Sequence, residues 1–365
     1  MIPRVTATVD LAALRHNLGV VRRLAPRSRV MAAVKADAYG HGAVPVARTL
    51  EAAGVDALAV ACLEEAMQLR QARVQAPIAL LEGVISSEEA AQAVYERLQI
   101  VVHDHWQIAL LEQLPASARL SVWFKLDSGM HRLGFPLTEV PRLVETLRRH
   151  PGWSFQGWMT HLACADEPDN PFTDEQIARF EAALAGIPGP RSIANSAGLI
   201  AWPRARTDWV RPGLALYGCS PMPGSTGAEL GLKPAMRLES RIIAVREYAS
   251  GEGIGYGLTY RCPERMRIGV VAIGYADGMH RAFRNGTPVL IRGRRAYLAG
   301  RVSMDMITVD LREVPDACVG DPVLLWGDAL PAEEIAQWAG TLSYELFCGL
   351  TQRVHFRHLD AAGAR

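Results

Sequence analysis

The sequence predicts an α/β chain, a (β/α)8 TIM-type barrel followed by a mostly β C-terminal domain, and three observations carry that prediction. From Val30 to about Gly218, short apolar runs alternate with amphipathic stretches. After about Pro221 the helical spacing gives way to alternating, strand-like runs. No GxGxxG follows the first apolar run, which ranks a doubly wound open sheet well below a barrel.

Taken in order, the first run, Val30–Val34, is too short for a helix and too unbroken for a half-solvated strand. It fits a parallel strand covered on both faces. Further runs lie near Ala57–Cys62, Ile78–Leu81, Ile100–Val102, Leu120–Leu126, Phe155–Met159, Ser192–Asn195 and Leu214–Tyr217, making eight. Between them, Leu63–Arg73, Ser87–Leu98, Leu137–Arg149 and Thr173–Ile187 have helical spacing, with start signals such as Ser86-Ser87-Glu88-Glu89. Eight strand and helix units in alternation describe a closed barrel. Met222–Gly227 reads as a linker. Beyond it, Arg237–Val245, Ile268–Ile273, Pro288–Ile291, Ile307–Leu311 and Pro322–Trp326 read as strands, Pro331–Ala339 as a helix and Gln352–Leu359 as a closing strand. The barrel domain is assigned to residues 1–225 and the β domain to 226–365. Val5–Val9 alternates Val-Thr-Ala-Thr-Val and is a candidate to pair with the β domain.

Composition narrows the function classes. Hydrophobic residues make up 49% and charged residues 21%, as in a compact folded protein. Lys+Arg 39 against Asp+Glu 38 leaves a net charge of +1, which argues against a nucleic-acid surface. The six cysteines show no CxxC pair and no metal-ligand spacing, so no metal is expected. No apolar run reaches the roughly 18 residues needed to span a bilayer, and Asp10 interrupts the only signal-peptide candidate. A cytoplasmic protein with no membrane partner is the expectation.

The chemistry centres on Val30–Gly42, VMAAVKADAYGHG. Lys35 stands at the carboxyl end of the first strand, the end where parallel sheets gather ligand chemistry. Half-buried beside apolar residues, its amine would lose charge by desolvation and serve as nucleophile and base. Asn195-Ser196-Ala197-Gly198 and Gly213-Leu214 follow the last two runs, where barrels of this kind commonly bind phosphate.

AVKADAYGHG resembles the cofactor-binding segment of the alanine racemases. FKLDSGMHRLGF, THLACAD, NSAG, RPGLALYG, GYGLTY, IGYADG and GRVSMDM resemble that family's other motifs in the same order, over nearly the whole chain. The resemblance implies an isomerase that interconverts L- and D-alanine with pyridoxal 5'-phosphate, the cofactor supplying an electron sink for the Cα carbanion. It makes Lys35 the Schiff-base lysine and the base on the D face, and Tyr256 the base on the L face. A phenol of pKa near ~10 needs a cation to act as a base at neutral pH, and Arg211 and Arg132 are the candidates.

The resemblance also aims Arg211 at the pyridine nitrogen and places His161 near the ring. Tyr39, Asn195, Ser196, Gly213 and Leu214 are put at the phosphate. Arg132, Met304 and Tyr275 fall at the substrate, with the Met304 amide on its carboxylate and Tyr275 lining a narrow mouth that selects small side chains. Lys125 is a candidate for carbamylation beside Arg132, against a plain Lys125–Asp127 pair. In the family Val5–Val9 pairs with the β domain, and Tyr256, Tyr275 and Met304 reach the other subunit's barrel, so a homodimer with shared sites is expected. Gln352 stands where some members carry a tyrosine that touches the phosphate. A serine racemase and a related barrel decarboxylase are the alternative enzymes, and a non-catalytic pyridoxal-phosphate carrier is the alternative from another class. D-alanine for peptidoglycan or alanine catabolism is the metabolic role implied.

Overall fold

The computed structural model describes residues 3–360. Contacts divide the chain into two units, one of residues 15–216 with Ser220–Gly224, the other of residues 3–14, Tyr217–Cys219 and residues 225–360. Strand β1 (Thr6–Asp10) opens the chain. The barrel follows in β2 (Arg29–Ala33), β3 (Ala57–Val60), β4 (Ile78–Leu80), β5 (Gln99–Val102) and β6 (Ser121–Asp127). It continues through β7 (Phe135–Pro136), β8 (Ser154–Met159), β9 (Arg191–Ser192) and β10 (Trp209–Val210). Parallel pairing runs from β2 through β5 to β6, then β8, β9 and β10, and β10 returns to β2, so eight strands close on themselves. The short β7 extends β6 outside that ring.

Period-two alternation sends Met31, Ala57, Ala59, Ala79, Val101, Trp123, Met159 and Trp209 into the interior. Three alanines there leave volume for two indoles, which meet edge to face with centroids 5.7 Å apart. Trp123 Nε1 donates to Gln99 Oε1 at 2.8 Å, so this buried indole N–H is satisfied. Arg29 lies over the Trp209 ring at 5.5 Å, the two being paired first residues of β2 and β10. Outside the barrel, Ser86 caps the helix Ser87–Tyr95 by accepting from Glu89 N–H at 3.2 Å.

The eighth apolar run corrects the sequence reading. Leu214–Tyr217 forms a 3-10 turn, and the eighth strand is Trp209–Val210. Pro212 lacks an N–H for the sheet, and Leu216 N–H turns back to Gly213 O at 2.8 Å. The run is apolar because the turn is buried, not because it is extended.

The other unit is built on β11 (Met236–Tyr248), a strand of 13 residues. With the hairpin β12 (Gly253–Ile254) and β13 (Tyr260–Arg261) come β14 (Met266–Val271), β15 (Pro288–Ile291), β16 (Arg294–Leu298), β17 (Ile307–Asp310), β18 (Pro322–Trp326) and β19 (His355–Leu359). The sheet order is β14-β17-β16-β15-β18-β11-β1-β19, and β14 pairs again with β11. β11 can serve both neighbours because its pairing shifts register between Ile242 and Ala244, where the strand bends. Its first part takes β1 antiparallel, Leu238 opposite Ala7, and β1 takes β19 parallel. β16, the β12–β13 hairpin and a helix at Ser343–Cys348 were not anticipated by apolar runs. β12 and β13 are two residues each, β16 exposes two of its five and the helix two of its six.

Candidate active site

The same alternation that fills the barrel places its chemistry. Lys35 follows Met31 by four positions, Lys125 follows Trp123 by two, His161 follows Met159 by two and Arg211 follows Trp209 by two. Each continues an inward-facing register past the apolar layer to the carboxyl ends of the strands. The chain has only three lysines, Lys35, Lys125 and Lys233, and two of them meet at this mouth.

Arg211 is the fixed element. It is 7% exposed, and it donates to Ser192 Oγ at 2.7 Å, to Thr160 O at 2.6 Å and to Ile193 O at 3.3 Å. Burial lowers its pKa to about 10, which leaves it charged at neutral pH. Its Nη2 lies 3.3 Å from His161 Nδ1. A guanidinium only donates, so that imidazole nitrogen accepts and the ring is neutral. Burial, then Arg211, holds the His161 pKa well below the ordinary imidazole value, in agreement with that tautomer. Gln176 fastens the His161 loop, donating to His161 O at 3.3 Å and accepting from Ala163 N–H at 2.8 Å.

Lys125 is the most perturbed amine. Burial first, then Arg211, Arg132 and Lys35, lower its pKa from 10.5 to about 8. Asp127 does not neutralise it, because that carboxylate turns to His131 Nδ1 at 3.1 Å and to the amides of Gly129 and His131. Below pH 8 the folded protein carries a crowded cation; between about 8 and 10.5 the unfolded chain binds more protons than the folded one. Unfolding free energy is therefore expected to rise with pH across that window. Urea titrations check this, and Lys125→Met should flatten the rise. His103, which the sequence did not single out, lies in the same field; burial, with Lys125 a smaller cause, lowers its pKa, and its Nε2 meets Glu82 O at 3.1 Å.

The segment after Lys35 has the least expected geometry. Ala36, Asp37, Ala38 and Tyr39 all take left-handed conformations, with φ of 52–55°. None is glycine, and each such residue costs roughly 1–2 kcal/mol. Strain of this kind persists where surrounding structure over-determines it, and it concentrates at functional sites. The turn buries Tyr39 with its hydroxyl against Gly213. A Cβ on Gly213 would overlap that oxygen.

Beside it, Ser196 Oγ accepts from Gly213 N–H at 2.9 Å and Ala215 N–H at 3.2 Å, and Asn195 Oδ1 caps Gly198 N–H at 2.8 Å. Tyr39, Ser196 and Gly213 thus meet at one place, with Asn195 at the start of the same helix as Ser196 and Leu214 next to Gly213 in the chain. Gly213→Ala is expected to push Tyr39 aside and to cost about 1–3 kcal/mol of stability by overpacking, measured by urea denaturation.

Arg132 is exposed on the loop after β6, and its charge is felt at both Lys125 and His161. Tyr256, Tyr275 and Met304 belong to the other unit and are 70%, 40% and 52% exposed. Gly255 and Gly257 flank Tyr256 with φ of 69° and 71°, so the turn presents the ring and does not pack it. The Arg301 guanidinium lies beside Gly257, a cation the sequence reading passed over.

Tyr275 and Met304 sit on adjoining turns: Tyr275 N–H donates to Ser303 O at 3.0 Å and Ala276 N–H to Met304 O at 2.9 Å. Buried Asp277 accepts from Gly274 N–H at 2.9 Å and pairs with Arg353 at 3.1 Å, while Arg353 also reaches Asp305 at 2.9 Å. One guanidinium therefore fixes both turns. Gln352 precedes it and is exposed.

The family model described as "Alanine racemase, N-terminal domain" matches residues 9–221, and "Alanine racemase, C-terminal domain" matches residues 235–358. An alanine racemase of Nitrosococcus oceani is 52% identical over 352 residues, covering 95% of this chain and 97% of its own length. One from Halorhodospira halophila is 47% identical over 97% of each chain. The crystal structure of a biosynthetic alanine racemase from Pseudomonas aeruginosa superposes with a TM-score of 0.95 at 47% identity, over 98% of this chain and 100% of that one.

Proposed function

The chain belongs to the alanine racemase family and interconverts L- and D-alanine, and we propose that it does so with pyridoxal 5'-phosphate and two bases, Lys35 and Tyr256. One observation supports the cofactor reading above the others: Lys35, Lys125, His161 and Arg211 converge on one barrel mouth, and the Tyr39 hydroxyl lies so close to Gly213 that a Cβ there would overlap it. The donor set fits the group. Tyr39, Ser196 and the amides around Gly213 and Leu214 would hold the phosphate, with Asn195 shaping the turn. Arg211 would face the ring nitrogen, and Lys35 would carry the covalent attachment. When bound, the cofactor supplies an electron sink that makes the Cα proton removable.

The residues of the chain do the rest. Lys35 takes and returns the proton on the D face, and Tyr256 does so on the L face. Arg211, which keeps its own proton, would leave the ring nitrogen without one and so would favour simple proton return over transamination. Arg132, the Met304 amide and Tyr275 hold the substrate carboxylate and narrow the mouth to small side chains. Arg211 and Arg132 supply the positive field that a phenolate base needs.

Lys125 is the site for a carbamate. Its depressed pKa leaves a fraction of neutral amine near pH 7 to attack the carbon of CO2; the amine loses a proton and the product is an anion among cations. We place the enzyme in the cytoplasm, making D-alanine for peptidoglycan, with alanine breakdown as the other use. Among the described residues no helix is long and apolar enough to cross a membrane.

The exposure of Tyr256, Tyr275 and Met304 supports a two-fold homodimer in which each subunit completes the other's barrel site. Mixing Lys35→Ala subunits with Tyr256→Phe subunits tests this. Hybrid dimers with shared sites regain one intact site, about a quarter of all sites after random exchange. Unshared sites regain none.

The reaction itself is tested by chiral analysis of alanine after the cofactor-loaded protein receives pure L-alanine. Approach to an equal mixture is expected. No D-alanine from protein that visibly holds the cofactor would overturn the reading.

A further inference from the structure

The left-handed turn after Lys35 raises the question of what holds it, and the structure points to a residue on a neighbouring helix. Glu65 lies in the first turn of the helix Leu63–Gln71, which follows β3. Its Oε1 accepts from Ala36 N–H at 2.6 Å and its Oε2 from Ala61 N–H at 2.8 Å. Ala36 is the first left-handed residue and follows Lys35 directly. Ala61 follows the end of β3. The carboxylate therefore ties the ends of two adjacent barrel strands to one helix. At the far end of the turn, Asp37 Oδ1 accepts from Ala43 N–H at 2.6 Å, and Asp37 O accepts from Gly42 N–H at 2.9 Å.

We propose that Glu65 is a positioning residue for Lys35: by fixing the Ala36 peptide plane in the left-handed conformation it sets the direction in which the Lys35 side chain leaves β2. This rests on the reading of Lys35 as the cofactor lysine. A peptide N–H in a strained turn needs an acceptor that holds it against relaxation to right-handed φ. Here the two N–H groups reach different oxygens of the side chain, an arrangement that a carboxylate offers and a carboxamide does not. Glutamine matches glutamate in volume, but it turns an NH2 donor toward one of the two amides. Packing is kept and the clamp is lost.

The test is Glu65→Gln, with Lys35→Ala alongside. Both variants are isolated as the folded fraction by gel filtration, stripped of cofactor and given pyridoxal phosphate. Two quantities are read: the rate of covalent uptake, from cofactor fixed to protein after borohydride reduction, and the split between kcat and KM in the loaded enzyme. A misdirected nucleophile slows covalent capture and lowers kcat by about 10- to 100-fold with KM nearly unchanged.

Glu65→Gln that takes up cofactor and turns over at wild-type rates would overturn the proposal. So would a loss confined to KM. If Lys35→Ala still fixes cofactor covalently, the reading of Lys35 itself is what fails, and the assignment of Glu65 falls with it. If Lys35→Ala fixes none while Glu65→Gln matches wild type, the positioning role alone is wrong.

Discussion

Tyr256→Phe is expected to lower kcat by about 10²- to 10⁴-fold in both directions while leaving the cofactor bound, since it removes one positioned acid-base group and nothing else. The structure makes this a clean change. The ring is 70% exposed and flanked by two left-handed glycines, so loss of its hydroxyl should shift stability by no more than about 0.5 kcal/mol. The two-base scheme also makes the defect lopsided. In deuterated water the variant should still exchange the Cα proton of D-alanine through Lys35, while exchange from L-alanine falls with turnover. Equal loss of both exchanges would assign Tyr256 to binding, and wild-type racemisation would remove it from the site.

Apolar continuity made the barrel legible. Val30–Val34 and Ala57–Cys62 each cover a parallel strand whose buried residues are all apolar, so the run is its own signal, and Leu120–Leu126 does the same apart from Ser121 and Lys125. The same rule misplaced the eighth strand: Leu214–Tyr217 is buried as a turn, while the two-residue strand Trp209–Val210 is too short to stand out.

In the candidate site, residues inside recognisable motifs could be named from the chain; those that act by reaching across it could not. Glu65 lies 29 positions from Ala36, and Arg353 lies 76 from Asp277. Nothing local marks either contact. The left-handed turn was hidden for another reason. Alanine and tyrosine do not favour positive φ, so Ala36–Tyr39 carries no propensity signal and its conformation is imposed from outside. One signal was present and unused: the two-residue step from Met159 to His161 and from Trp209 to Arg211 continues the inward face of each strand, and read as alternation it aims both at the mouth.

Lys35→Ala should have the largest effect of all, because attachment and proton transfer on the D face are lost together; a fall in turnover beyond about 10⁴-fold is expected. Lys35→Arg divides the loss differently. It keeps a cation at the end of β2 but presents no free amine at neutral pH, so it should bind cofactor without fixing it covalently. Both variants can be followed by mass after borohydride reduction, with the adduct expected on the peptide containing Lys35 and absent from either variant.

The scarcity of lysine sharpens the outcome. With only Lys125 and Lys233 remaining, any lysine adduct that survives in Lys35→Ala sits on one of two residues, and peptide mapping separates it from one on the α-amine. An adduct on Lys125, whose pKa near 8 leaves it partly neutral, would mean that the barrel mouth selects its nucleophile by desolvation. No adduct at all would mean that a neutral amine in the right field is not enough. Direction, set by the strained turn after Lys35, would then be the deciding factor.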